Sequence, residues 1–197
     1  MNAIASQPIV SNPYISIEVK AESLGKFCKS LADSIECEGV RCEQSAGLHV
    51  SIAYARGSAS VRDVEEVACE IANEGFTCRA RQFEILEGHT TPYDYLVLSL
   101  ETRGDFETAV GIVEQSLETQ KFQGGFKSHV SLLKFEKGTA QSEWAQELVR
   151  ELNASQGAAF ALGRAMCVEG ECVCVYDQDR QSVCKVACQA AARQMVA

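Results

Sequence analysis

The sequence predicts an α+β fold built on mixed, largely antiparallel sheets. Three observations lead there. Apolar residues alternate with period two in some stretches and recur every three to four residues in others, the periods of strands and of helices. Two pairs of successive strand-like stretches have no helix between them, which argues against a purely parallel wound sheet. The apolar sets of several strands are one-sided, as in Ile15/Ile17/Val19, Val50/Ile52 and Leu96/Leu98/Leu100. Helices packed on one sheet face, with a polar cleft on the other, suit that pattern.

In chain order, residues 1–12 are polar and unpatterned and are expected to be flexible. Tyr14 to Val19 alternates as a half-buried strand, with Ile15, Ile17 and Val19 inward and Tyr14, Ser16 and Glu18 on the other face. Leu24, Phe27, Leu31 and Ile35 at helical spacing give an amphipathic helix. A strand over 48–54 follows. Ser60 is placed to cap a helix with the stripe Val61, Val64, Val67 and Ile71, and Gly75 is its stop. Strands over 76–86 and 93–101 are joined by the turn-rich E-G-H-T-T-P, and the next helix carries Phe106, Val110, Val113 and Leu117. Beyond the loop K-F-Q-G-G come a strand over 126–135 and a helix with Trp144, Leu148 and Leu152 that ends near Gly157. A hairpin of strands over 160–168 and 172–176, turning at Glu169 and Gly170, and a terminal helix over 182–195 complete the chain. The expected organisation is a flexible 1–12, one domain of two small lobes over 13–178, and a C-terminal helix within 179–197.

Hydrophobic residues at 46% and charged residues at 23% match an ordinary globular chain, which removes disordered, collagen-like and coiled-coil readings. No apolar run approaches the roughly 18–20 residues of a spanning helix, and the first residues lack a basic stretch followed by an apolar one. A soluble, intracellular, cytoplasmic protein is expected, with a monomer favoured. The formal net charge of −9 repels polyphosphates, so no long nucleic acid and no membrane is expected as a partner. A small nucleotide or an RNA end stays open. The ten cysteines include C-x-C at Cys172 and Cys174 and C-x3-C at Cys184 and Cys188, not the paired C-x2-C of structural zinc sites. They read as buried free thiols.

The tetrapeptides H-V-S-I at His49 and H-V-S-L at His129 stand 80 residues apart, each in a strand followed by a helix, which looks like internal duplication. Alternation turns His49 and Ser51 to one face and Val50 and Ile52 to the other, and likewise His129 and Ser131 against Val130 and Leu132. If the strands are neighbours, two imidazoles and two hydroxyls face one cleft. That set suits phosphodiester chemistry, in which one group takes a proton from the attacking oxygen and another protonates the leaving oxygen. The hydroxyls can hold the non-bridging oxygens. Neither motif has a third suitably placed ligand, so no metal and no cofactor is expected.

With L-H-V-S-I and S-H-V-S-L, the sequence resembles the two-histidine (2H) phosphoesterase superfamily, which includes 2′,3′-cyclic phosphodiesterases and 2′-5′ RNA ligase-like proteins. The resemblance covers about 14–176. It implies two pseudo-symmetric lobes with helices on the outer faces and a central cleft, His49 and His129 as the acid/base pair, and Ser51 and Ser131 as phosphate-holding hydroxyls. Both hydroxyl residues are Ser where Thr is common, and Ser128 stands where Pro often precedes the second His. The implied activity is metal-independent hydrolysis of a 2′,3′-cyclic phosphate of a nucleotide or RNA end. The alternatives are hydrolysis of cyclic or 2′-5′-linked oligonucleotide signals, or a non-catalytic nucleotide-binding module.

Further residues are placed to line the cleft. Lys127 shares the face of His129 and is a candidate point charge for phosphate, and Phe135 falls on the same face by alternation. Tyr14 and Tyr95 lie opposite the apolar sets, where a ring can stack on a base. Tyr54 alternates to the core side. His89 sits in a loop beside the cleft.

Overall fold

A computed structural model of the chain describes residues 8–20, 22–88, 91–120, 127–155 and 167–189. Ten strands and four α-helices follow in the order β1 (Ile9–Ser11), β2 (Tyr14–Val19), α1 (Glu22–Cys37), β3 (Cys42–Gln44), β4 (His49–Tyr54), β5 (Ser58–Ser60), α2 (Val61–Glu74), β6 (Thr77–Glu87), β7 (Tyr93–Leu100), α3 (Asp105–Ser116), β8 (His129–Glu136), α4 (Glu143–Ala154), β9 (Cys167–Tyr176) and β10 (Ser182–Ala187). Eight strands form one sheet in the order β10-β9-β2-β4-β8-β7-β6, with β3 on β8, while β1 and β5 pair separately. Every strand pairing among the described residues is antiparallel. The sheet bends back on itself because the first residues of β9 also pair with β6, at Thr77–Glu169 and Cys78–Val168.

The one-sided apolar sets form the core, with Ile15, Ile17, Val50, Leu96, Leu98 and Val130 fully buried. Helix α2 begins and ends where its punctuation requires. The Ser60 hydroxyl accepts the Asp63 N–H at 3.1 Å, and Gly75 closes the helix at φ 74°, a left-handed value that disfavours a side chain. Helix α4 starts at Ser142, whose Oγ accepts from the Ala145 N–H at 3.1 Å. Its Asn153 fixes it to β6 by a two-way amide bond with the backbone of Phe83, at 2.8 and 3.0 Å.

Four expectations need correction. Within the stretch expected to be flexible, Ile9–Ser11 is a strand, paired with β5. The hairpin expected to turn at Glu169 and Gly170 does not turn there; Cys167–Tyr176 is one strand, and 160–166 lies outside the described residues. Gly170 marks a close approach instead, since a Cβ there would sit 2.8 Å from Ile17 Cγ2 and 3.0 Å from Phe76 Cβ. The terminal helix is replaced over 182–187 by β10, which forms the true hairpin with β9 and pairs Val186 with Val173. The Phe135 expectation is the fourth: it is buried in the core and packs edge-on against Trp144, with ring centroids 5.8 Å apart.

Candidate active site

The two motif strands are neighbours. β4 and β8 run antiparallel and pair at Val50–Val130, the same residue of each motif. A local two-fold relation therefore passes between the two H-V-S strands. Each strand also carries a bulge at the same place. Ile15 and Ser16 of β2 oppose Ala53 and Ser51, leaving Ile52 as the extra residue; Leu96 and Val97 of β7 oppose Leu133 and Ser131, leaving Leu132 extra. Ile52 and Leu132 are the fourth residue of H-V-S-I and of H-V-S-L.

The bulge reverses the alternation beyond it. Ala53 and Leu133 turn inward, and Tyr54 and Lys134 turn to the cleft face opposite Tyr14 and Tyr95. Tyr54 is thus on the cleft side, not the core side that strict alternation gives it, and Phe135 moves inward for the same reason. The Tyr14 ring stacks on Tyr54 with centroids 4.6 Å apart and on Tyr176 at 5.9 Å, forming a row of three tyrosines across β4, β2 and β9.

The histidines are held alike. His49 Nδ1 lies 3.2 Å from the Gly47 carbonyl and His129 Nδ1 lies 2.7 Å from the Lys127 carbonyl, in each case two residues back. A carbonyl only accepts, so Nδ1 carries the proton and Nε2 is the atom available for proton transfer. Burial lowers the pKa of His129, and the charge of His49 lowers it further, against the raising effect of the Lys127 carbonyl and of Glu84. Each histidine immediately precedes the paired valine of its strand, Val50 or Val130.

Ser51 Oγ is 2.7 Å from the Tyr14 hydroxyl. Burial is the main cause that pushes Tyr14 up to about 12, so it is a neutral phenol throughout the working range. Ser131 stands cross-strand from Val97, and Ser99 cross-strand from His129. The Ser99 hydroxyl donates to Glu84 at 2.8 Å, and Lys127 lies 3.6 Å from the same carboxylate. Lys127 is thus engaged with Glu84 and touches the site through its carbonyl. Tyr95 shares the face of Ser99, but its hydroxyl donates to Thr91 at 3.1 Å, away from the histidine–serine set. His89 lies outside the described residues.

A cavity of about 270 Å³ opens beside His49, walled by Tyr14, Ser16, Glu18, Gly47, Tyr176 and Arg180. Of these, strand alternation found only Tyr14, Ser16 and Glu18. Arg180 comes from the β9–β10 turn, in a left-handed conformation at φ 60° that is rare for arginine. Asp177 fixes that turn by accepting the N–H groups of Asp179 and Gln181 at 2.9 and 2.8 Å. The guanidinium is thereby placed 4.3 Å from the Tyr14 ring centroid and 5.6 Å from that of Tyr54. Within an acidic protein, this puts a positive charge at the cleft mouth. The D-Q-D-R turn was the one available sequence signal for it.

No helix among the described residues is long and apolar enough to cross a membrane. No protein-family model matches the chain, and no curated protein sequence does. Solved structures do match. The Kluyveromyces marxianus Usb1 structure aligns over 92% of this chain and 99% of its own at 14% identity, with a TM-score of 0.56. The same protein with uridine monophosphate aligns over 92% and 98% at 12% identity, with a TM-score of 0.57. A weaker likeness, to E. coli LigT with 3′-AMP, covers 94% and 100% at 13% identity, with a TM-score of 0.47. With its two H-V-S strands meeting at one antiparallel pair, the chain has the fold of the two-histidine phosphoesterases to which Usb1 belongs.

Proposed function

We propose that the protein is a phosphodiesterase that opens the 2′,3′-cyclic phosphate of a nucleotide or RNA end, with His49 and His129 as its acid/base pair and no metal ion in the chemistry. The observation that carries this reading is the meeting of the two motif strands at Val50–Val130, with each histidine Nδ1 committed to a carbonyl two residues back. The uridine monophosphate bound to the K. marxianus protein of the same fold supports a small nucleotide as ligand.

Burial, which lowers the pKa of His129, favours it for the base role, because a neutral imidazole offers its Nε2 lone pair. Water loses a proton to His129 Nε2 and its oxygen attacks phosphorus. The bond to the 2′ or 3′ oxygen breaks, and that oxygen takes a proton from His49 Nε2. The Ser51 and Ser131 hydroxyls donate to the non-bridging oxygens, with Tyr14 orienting Ser51. Because Tyr54 and Tyr176 flank Tyr14, the nucleobase is expected against Tyr176 and Arg180, where the cavity opens. Tyr95 and Lys127 belong to the rim of the second lobe, Lys127 adding charge beyond its pair with Glu84.

Incubation with nucleoside 2′,3′-cyclic phosphates in EDTA tests the reading. Turnover to a monophosphate is expected, with a loss of about 10²- to 10⁴-fold in each of His49→Ala and His129→Ala. Full activity in either variant, or turnover that vanishes on chelation, overturns it. A panel including cyclic dinucleotides and 2′-5′-linked oligonucleotides tells a terminal cyclic phosphate from a signalling oligonucleotide.

A further inference from the structure

We propose that Glu18, Cys172 and Cys174 form a binding site for one thiophilic divalent cation, of which Zn²⁺ is the type, in the wall of the cleft beside the histidine pair. This reading is independent of the catalytic one. In the sequence, C-x-C lacks a third ligand. The sheet supplies it, since Glu18 of β2 pairs cross-strand with Cys172 of β9, 154 residues away.

The three ligand atoms are already gathered. Cys172 and Cys174 alternate to one face of β9, both buried, with their sulfurs 3.9 Å apart. Two sulfurs on one tetrahedral zinc at about 2.3 Å each would stand about 3.8 Å apart. Glu18 Oε2 lies 3.2 Å from Cys172 Sγ, and all three donor atoms lie within 4.8 Å of one another. The ligands come from the interiors of paired strands, so little rearrangement is needed to close around an ion. Glu18 lines the cavity, which leaves a fourth position to water or to an oxygen of a bound ligand.

A cation already sits on this carboxylate. The Lys185 ammonium, reaching over from β10, lies 2.6 Å from Glu18 Oε2. A divalent ion takes the place of the ammonium and of two thiol protons. Lys185 is more than half exposed and is free to swing into solvent. It is therefore a built-in competitor for the site.

Equilibrium dialysis of the full chain with Zn²⁺ under reducing conditions, repeated with Co²⁺ to read the thiolate-to-cobalt charge-transfer absorption, tests this. One tight equivalent per chain is expected, with that absorption. Cys172→Ser combined with Cys174→Ser abolishes both signals, and Glu18→Gln weakens binding at least tenfold. Lys185→Met, a surface change that leaves the fold unchallenged, tightens binding by a few-fold to about tenfold, on the scale of an exposed ion pair plus the like-charge repulsion it relieves. Cys37→Ser with Cys69→Ser, which removes two exposed thiols, leaves the equivalent in place. An equivalent that survives loss of Cys172 and Cys174, that follows Cys37 and Cys69, that is indifferent to Lys185, or that never forms overturns the proposal.

Discussion

The Tyr14 hydroxyl lies 2.7 Å from Ser51 Oγ, so the hydroxyl of the first H-V-S motif is aimed by a residue of the neighbouring strand. In the proposed mechanism, removing Ser51 removes a donor to the phosphate, whereas removing the phenol oxygen only frees that donor to rotate. Ser51→Ala is expected to lower kcat by about 10²-fold, in the range of a lost oxyanion donor, and Tyr14→Phe by about tenfold. Steady-state kinetics on a cyclic nucleotide checks the ranking; equal losses would mean that Tyr14 does more than orient Ser51.

Because burial lowers the pKa of His129, the imidazole is neutral down to a pH below its ordinary value of about 6.5. A base must be unprotonated, so the acid limb of kcat/KM is expected to rise with pH through a midpoint below 6.5. That acid limb should disappear in the residual activity of His129→Gln. Stability follows the same sign. The unfolded chain binds a proton that the folded chain resists, so this contribution is complete above the unfolded pKa and is lost as pH falls below it. Thermal melts at several pH values, compared between wild type and His129→Gln, report it.

Asp94 is buried, and its carboxylate accepts the N–H groups of Gly138 and Ala140 at 2.8 and 2.9 Å, with a longer bond from Gly88 at 3.4 Å. Burial works to raise its pKa, but these backbone bonds and Lys137 win and hold it below the usual carboxylate range. Asp94→Ala leaves buried donors unsatisfied and should cost about 3 kcal/mol in denaturant unfolding. A depressed carboxyl stabilises above its unfolded pKa and stops doing so as pH falls through the folded value, so wild type and variant should converge in acid.

The bulge at Leu132 gives a prediction about register. Deleting that residue removes the bulge but keeps Leu133, Lys134 and Phe135 opposite Leu96, Tyr95 and Asp94, so the faces beyond it are retained. The cost is the lost burial of one leucine side chain, about 3 kcal/mol, read as a fall in Tm with cooperative melting kept. Deleting Ile52 should act alike, with Tyr54 kept opposite Tyr14. Loss of cooperative melting in either deletion would remove the claim that Leu132 and Ile52 are the extra residues.

Ser128 is buried, and its hydroxyl has no hydrogen-bond partner among the described residues. Ser128→Ala removes an unpaired polar atom and is expected to be neutral or stabilising by up to about 1 kcal/mol, as measured by the denaturation midpoint.

The sequence alone determined the existence and type of most elements, the one-sided core and the duplicated H-V-S strands, because period two, period 3.6 and helix caps are local properties of the chain. Ser60 and Gly75 bounded α2 correctly, and Ile15, Ile17, Val50 and Leu98 are where alternation put them. Alternation failed for Tyr54 and Phe135 because one extra residue inverts every face beyond it, and a bulge becomes visible only when the partner strand is in place. Gly170 misled for a related reason. Glycine is needed equally by a turn and by a close approach, and only the packing of Ile17 and Phe76 distinguishes them. Arg180 over Tyr14, and Glu18 beside the thiol of Cys172 154 residues away, were decided by tertiary structure: sheet order joins residues whose separation along the chain leaves no periodic trace.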